Sequence, residues 1–347
     1  MTERKNIDKH YKITMQFSPL NPKDYQELMR SHPDANWPIE QTFAWGEFQS
    51  QIPGRHHLGT FLIAQDGSPI AVASLLLMEM RGYSYIWINN GPVTLASNYS
   101  ADELAATLRD IAQQHAPTAP LFIRFNLAKK PAKAMPAFSK SLLEKTTIVD
   151  LRQDEDVILA KMPYGTRRGM RKATKSGVEI KEIPAAEAAR QFPKEFQPIM
   201  DETAARDGFH SHPANTYIAM LNKLENSARF FAAYIDGKPA AWAIDTTWNN
   251  QAIYYYGASN DAARKVMAPY LLHIEAMKKF KAEGVASYDF LGIGSPNFPG
   301  LEGVTQFKLR FGGDVIDYTP VFDLPLKPAA YKLWKAAQKA RSKLKRK

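Results

Sequence analysis

Residues 61–74 read FLIAQDGSPIAVAS, and residues 231–244 read FAAYIDGKPAAWAI. Phe61 matches Phe231, Asp66-Gly67 matches Asp236-Gly237, Pro69 matches Pro239 and Ala71 matches Ala241, at a constant offset of 170 residues. Asp-Gly between two apolar runs predicts a β-hairpin, because glycine accepts the positive φ that a tight turn needs. Outward from each hairpin the order repeats. An aromatic strand follows, YSYIWINNGPV (83–93) or AIYYYGAS (252–259). An amphipathic helix comes next. ADELAATLRDIAQQ (101–114) carries Leu104, Leu108 and Ile111, and APYLLHIEAMKKFKAEG (268–284) carries Leu271, Leu272, Ile274, Met277 and Phe280. Then come the strands LFIRFN (121–126) and SYDFLG (287–292), and each half ends alike, in TTIVDL (146–151) or TPVFDL (319–324).

Five matched elements in one order predict an α/β protein of two tandem units with mixed sheets. The expected division is 1–150 and 151–325, with 326–347 an amphipathic helix packing back on the first unit through Leu333, Trp334, Ala337 and Leu344. Each copy is expected to open on helices, NPKDYQELMRSH (21–32) in the first and residues 184–208 in the second, the latter broken at Pro193.

The chain of 347 residues has material for two cores, and its 45% apolar content is that of a globular protein. Without cysteine there is no disulfide, thiolate nucleophile or zinc-thiolate site. The N-terminal MTERKNIDKHYKITMQF lacks an apolar stretch, and no run approaches the ~18 residues of a membrane span. A cytoplasmic protein is expected. Net charge is +10, and eight of the cations lie between Lys332 and Lys347 with no acid among them. Lys161, Arg167, Arg168, Arg171, Lys172 and Lys175 form a second acid-free cluster. Such clusters suit RNA phosphates or anionic lipid headgroups, or are simply solvated helix faces.

The stretch YDFLGIGSPNFPGLEGVTQFKLRFGG (288–313) opens like a strand, breaks on glycine and proline, and reaches a lysine among aromatics. Alternation in Phe307-Lys308-Leu309-Arg310-Phe311 predicts a strand with Lys308 and Arg310 on one face. That face is either solvent or the wall of a groove, since the glycine-rich 292–303 loop lets backbone approach a ligand closely. His210 and His212 have no third partner to make a metal site, so no metal is expected.

Taken together, Gln41 and Trp45 in QTFAWGEF, Gly91-Pro92-Val93, TRRGMRKATKSGV (166–178), RDGFHSHPANTY (206–217), YYYGAS (254–259) with APY (268–270), YDFLGI (288–293), and Phe307-Lys308 before FGG (311–313) resemble the FemABX family, built of two GNAT-like units. With no coiled-coil arm in the second unit, the chain is similar to the compact FemX-like members. The resemblance implies transfer of an amino acid from aminoacyl-tRNA to the side-chain amine of a peptidoglycan precursor's stem peptide. It implies no cofactor besides that co-substrate.

It also implies Lys308 as the group stabilising developing negative charge, and Asp289 as an orienter or proton acceptor for the acceptor amine. Tyr256, Tyr217, Arg206, His212, Trp45, Gln41 and Arg310 would bind substrate, and Arg167, Arg168, Arg171, Lys172 and Lys175 would bind tRNA. Tyr256, Tyr217, Arg206, Trp45 and Asp289 also read as structural residues. Compact members grip a nucleotide diphosphate with a Lys and an Arg. Here the matching stretches read Gly46-Glu47-Phe48-Gln49 and His210-Ser211-His212, which favours a lipid-linked acceptor or another grip on the nucleotide. A monomer is expected, in the cytoplasm or at the inner face of the plasma membrane through the basic tail. The alternatives are an acetyl-coenzyme A-dependent N-acyltransferase, though NNGPVTLASNYSADE and GASNDAARKVMAPY lack its glycine turn, and a non-catalytic tRNA- or membrane-binding protein.

Overall fold

A computed structural model describes residues 15–138, 143–296 and 301–344, with side chains to residue 340. Residues 1–14 of the N-terminal stretch read for a signal, residues 297–300 of the glycine-rich loop, and Lys345, Arg346 and Lys347 lie outside the described residues, as do the side chains of Arg341, Lys343 and Leu344.

The chain is mixed α/β and forms two compact units. One comprises residues 1–37, 57–137 and 322–347, the other residues 38–56 and 138–321. In the first, the sheet runs in the order Gln16–Pro19, Arg55–Gln65, Ser68–Met80, Tyr83–Ile88, Phe122–Asn126, Val321–Pro325, Met135–Pro136. In the second the order is Asp314–Asp317, Lys145–Asp150, Ser287–Asp289, Gln251–Ser259, Lys238–Trp248, Ala228–Ile235, Glu179–Ile183. The two Asp-Gly hairpins have the same backbone. Asp66 and Gly67 have φ 50° and 78°, and Asp236 and Gly237 have φ 50° and 74°, as a two-residue type I′ turn requires. Each hairpin is backed by a helix: Leu104, Leu108 and Ile111 of Ala101–His115 join the first core, and Leu272, Ala276, Met277 and Phe280 of Ala268–Ala282 join the second.

The chain departs from the expected division at both boundaries. Lys145–Asp150, expected to close the first unit, pairs antiparallel with Ser287–Asp289 and Asp314–Asp317 in the second sheet. Val321–Pro325, expected to close the second, lies beside Phe122–Asn126 in the first sheet. The matched endings are therefore real strands, each completing the other copy's sheet. The C-terminal helix Pro328–Leu344 packs on its unit through Tyr331 and Trp334, against Phe122 and Tyr83. Of the expected face Trp334 packs, but Leu333 is 74% exposed and Ala337 is exposed too; Tyr331, at i, i+3 from Trp334, packs beside it.

The helix expected over 184–208 breaks where Pro193 removes a backbone N–H. Ala185–Gln191 passes into a π-turn, Phe192–Phe196, and continues as Gln197–Asp207. Among the described residues no helix is long and apolar enough to cross a membrane.

Candidate active site

The second unit's sheet parts in its middle. Gln251–Ser259 pairs with Ser287–Asp289 only over Gln251–Ile253, so Tyr254 and all that follows run on without that neighbour. Pairing with Lys238–Trp248 shifts register between Ile244 and Asp245, which leaves Tyr255 as an extra residue on its strand. A bulge re-aims side chains at such a place.

Lys308 sits where the strands part, but not on a strand. Glu302–Leu309 is a helix, and the two-residue alternation of Phe307–Phe311 is overridden. Thr305, Lys308 and Phe311 recur every three residues and turn inward, while Leu309 and Arg310 are exposed. The Lys308 ammonium donates to the carbonyls of Leu291 and Gly292, the latter at 2.9 Å, and lies 5.8 Å from the Tyr254 ring centroid. Leu291 has φ 53°, a left-handed backbone that a branched side chain rarely adopts. Two glycines let the helix return into the sheet. A β-carbon at Gly312 would lie 2.8 Å from the Lys161 carbonyl, and one at Gly313 would lie 2.7 Å from Thr147 Oγ1. Burial lowers the Lys308 pKa to about 8 against the opposing pull of Asp289. Asp289 is itself buried. Thr146 donates to its carboxylate, as does the Leu291 N–H at 2.7 Å, and burial raises its pKa despite these bonds and Lys308.

The expected binding residues all fall in this unit. Gln41 and Trp45, expected within the first unit, belong to the segment 38–56, which clusters with the second. Its helix Phe43–Ser50 packs on Ala214–Leu224, and Trp45 lies 5.1 Å from the Tyr255 ring. Trp45 and Gln41 are buried, and the Trp45 Nε1 donor has no hydrogen-bond partner among the described residues. Tyr217 and Tyr256 meet edge to face at 5.1 Å, and the His212 ring lies 5.7 Å from Tyr256. Desolvation against these rings, then the charge of Arg55, lowers the His212 pKa. Arg55 lies beside them: its guanidinium donates to Gln49 at 2.7 Å and its charge acts on both His212 and Tyr256. Arg206 is instead engaged by the fold, donating to the Ser259 carbonyl at 2.7 Å and to Asp207.

The basic segment forms the helix Tyr164–Lys175, with Arg168, Arg171, Lys172 and Lys175 exposed and Arg167 half-buried. Lys172 is tied to the short helix Asp261–Val266 through the Lys265 carbonyl at 2.6 Å.

Two features escaped the sequence reading. Glu40, buried in the same 38–56 segment, accepts a hydrogen bond from the Tyr255 hydroxyl. Behind Tyr254, the Tyr288 hydroxyl lies 3.0 Å from Asp245 Oδ1 and 2.9 Å from His273 Nδ1, all three fully enclosed. A lone acid inside the apolar run AWAIDTTW was the available signal. Burial raises the Asp245 pKa to about 8 and lowers that of His273 to about 3, so both are neutral between about pH 3 and pH 8.

This sets a sign for stability. Folded Asp245 keeps a proton that the unfolded chain loses near pH 4, so its cost grows as pH rises from there and levels off above about 8. Asp245→Asn has no such proton. The variant is expected to gain stability over wild type, on the order of a few kcal/mol at pH 8 and little at pH 4. Melting curves across this range check it; parallel curves would refute the assignment.

No curated protein matches the chain. Among solved structures it is similar to FemX, at 17% identity and a TM-score of 0.74 over 92% of this chain and 100% of that one. It is also similar to a tandem GNAT protein from the clavulanic acid biosynthesis pathway, at 13% identity and a TM-score of 0.55 over 90% and 98%. A third is L-PGS from Bacillus licheniformis, at 11% identity and a TM-score of 0.53 over 92% and 97%. These likenesses define the fold as two tandem GNAT-like units. A model of the FemAB family matches residues 135–239 and 238–339, and the chain belongs to that family. At the level of the family it is an acyltransferase with a peptidoglycan aminoacyl-transfer role.

Proposed function

We propose that the chain transfers an amino acid from aminoacyl-tRNA to the side-chain amine of a peptidoglycan precursor's stem peptide. The observation that carries this is the buried Lys308 ammonium, held by two carbonyls beside Asp289 where the sheet parts. The acceptor amine attacks the ester carbonyl, a C–N bond forms, the amine gives up a proton and the ester C–O bond breaks to release the ribose hydroxyl. Negative charge develops first on the carbonyl oxygen and then on the leaving oxygen. A desolvated cation beside them stabilises both without reorganising. Asp289 orients the acceptor ammonium, and the rings of Tyr256 and His212 wall the approach, with Tyr217 fully buried behind Tyr256. Arg55 supplies a cation for the diphosphate that nucleotide- and lipid-linked precursors share. No cofactor enters the reaction.

The test is transfer of labelled amino acids charged on total bacterial tRNA, offered to the nucleotide-linked pentapeptide and, in parallel, to its lipid-linked form. Label on either supports the reading and identifies the acceptor. Label on neither, with RNA still bound, rejects the peptidoglycan assignment.

The donor's phosphates are assigned to Arg167, Arg168, Arg171 and Lys175, with Lys172 a lesser contributor because it is tied to Lys265. Reversing the charge of Arg167, Arg171 and Lys175 together is expected to raise KM for aminoacyl-tRNA at least tenfold at physiological salt and to leave KM for the acceptor unchanged. Steady-state kinetics with each substrate varied in turn checks this, and an unchanged KM for the RNA would refute it.

A further inference from the structure

Tyr164, Arg168, Arg171 and Lys175 stand at i, i+4, i+7 and i+11 of one helix, and all four are exposed. Tyr164 opens the helix 66% exposed, and the Arg171 guanidinium lies 6.0 Å from its ring centroid. Local stability does not explain this stripe. The helix holds five cations and no acid, places Arg167–Arg171, Arg168–Lys172 and Arg171–Lys175 at repelling i, i+4 spacing, and has no side-chain cap or acid at its start. Each choice costs a little stability, and a polyanion would offset all of them.

The stripe also has a direction. Thr166 Oγ1 donates to the Arg310 carbonyl at 3.1 Å, so the Tyr164 end is fastened to the end of the helix that carries Lys308, and Arg310 is exposed there. Lys175 lies about 16 Å further along the helix axis.

We propose that Tyr164, with Arg171 beside its ring, is a stacking platform for unpaired nucleotides of an RNA, with Arg168, Arg171 and Lys175 following the phosphates of the adjoining stem. An exposed aromatic ring among cations is what sequence-tolerant single-strand recognition requires: the base stacks on the ring while the cations hold its backbone. The platform rests on the reading of aminoacyl-tRNA as donor. It brings the single-stranded, acyl-bearing end of the donor to the end of the stripe joined to the Lys308 helix.

The test is binding of the full chain to a labelled hairpin RNA with an unpaired 3′ overhang, to the same hairpin blunt-ended, and to phosphatidylglycerol vesicles. Tyr164→Ala is expected to weaken overhang binding about tenfold and to leave the blunt hairpin unchanged, while Tyr164→Trp retains both. Arg171→Glu is expected to weaken both RNAs and to flatten the salt dependence. Equal affinity of wild type and Tyr164→Ala for the overhang RNA would overturn the platform. So would Tyr164-dependent binding of vesicles without any preference for the overhang, which would make the stripe a lipid-binding face. The two readings separate in the transfer assay. Transfer by Tyr164→Ala at an unchanged KM for RNA rejects the platform alone. No transfer by wild type, with the overhang preference intact, rejects the donor reading alone.

Discussion

Lys308→Met is expected to lower the single-turnover rate of aminoacyl transfer about 100- to 1,000-fold while RNA and acceptor still bind. That range is the loss seen when one preorganised donor to a developing oxyanion is removed, or about 3–4 kcal/mol of barrier. Methionine has nearly the length of the lysine stem and no charge. The helix Glu302–Leu309 should keep its place through Phe311, which is fully buried against Phe290 and Tyr270. The carbonyls of Leu291 and Gly292 lose their shared donor, so a modest fall in melting temperature accompanies the loss of rate. The signature is the split: binding constants hold while the chemical step fails. A variant that transfers at the wild-type rate would make Lys308 a structural tie between its helix and the Leu291 turn.

Asp323→Ala is expected to destabilise the first unit by about 3–5 kcal/mol. Asp323 is fully buried and takes Arg124 in two parallel bonds, Nε to Oδ1 at 2.8 Å and Nη2 to Oδ2 at 2.9 Å, while the Tyr331 hydroxyl donates to Oδ2 at 2.8 Å. Burial opposes the Arg124 charge, yet its carboxylate partner more than compensates and raises its pKa. Removing the carboxylate leaves a guanidinium with its main counter-charge gone, which is costlier than losing both partners together. One residue also ties three elements: the strand Phe122–Asn126, the returning strand Val321–Pro325 and the helix Pro328–Leu344. Hydrogen exchange should therefore rise first in the C-terminal strand and helix. Denaturant titration measures the loss, and a change below about 1 kcal/mol would contradict a buried charge stripped of its main partner.

What could be read from the chain follows from how local each signal is. The Asp-Gly hairpins were legible because a two-residue turn specifies its own backbone and sets the register of both strands. The helices over 101–115 and 268–282 were legible from apolar spacing. The exchange of Lys145–Asp150 and Val321–Pro325 was not, since the pairing of a strand depends on which distant edge is open and carries no local mark. The same limit hid the allegiance of Gln41 and Trp45, which a short helix carries to the second unit. Around Lys308 two periodicities competed over a few residues. Phe307–Phe311 alternates like a strand, but Thr305, Lys308 and Phe311 recur at helical spacing, and the Gly312-Gly313 contacts favour the compact path. Lys308 was thus found on the wrong element. Glu40 and Asp245 were passed over because a single acid has no motif, and only its enclosure makes it notable.

The proposed reaction uses the Lys308 ammonium, not its neutral amine. Its most direct test is the pH dependence of single-turnover transfer in wild type and Lys308→Met. The acceptor amine must lose a proton, so the logarithm of the rate should climb with pH in both. In wild type the climb should flatten near pH 8, where Lys308 gives up its own proton, well below the ordinary lysine value of 10.5. In Lys308→Met it should continue through about pH 9 from a far lower start. A wild-type rate that rises through pH 9 without a break, or a break that the variant shares, would contradict the claim.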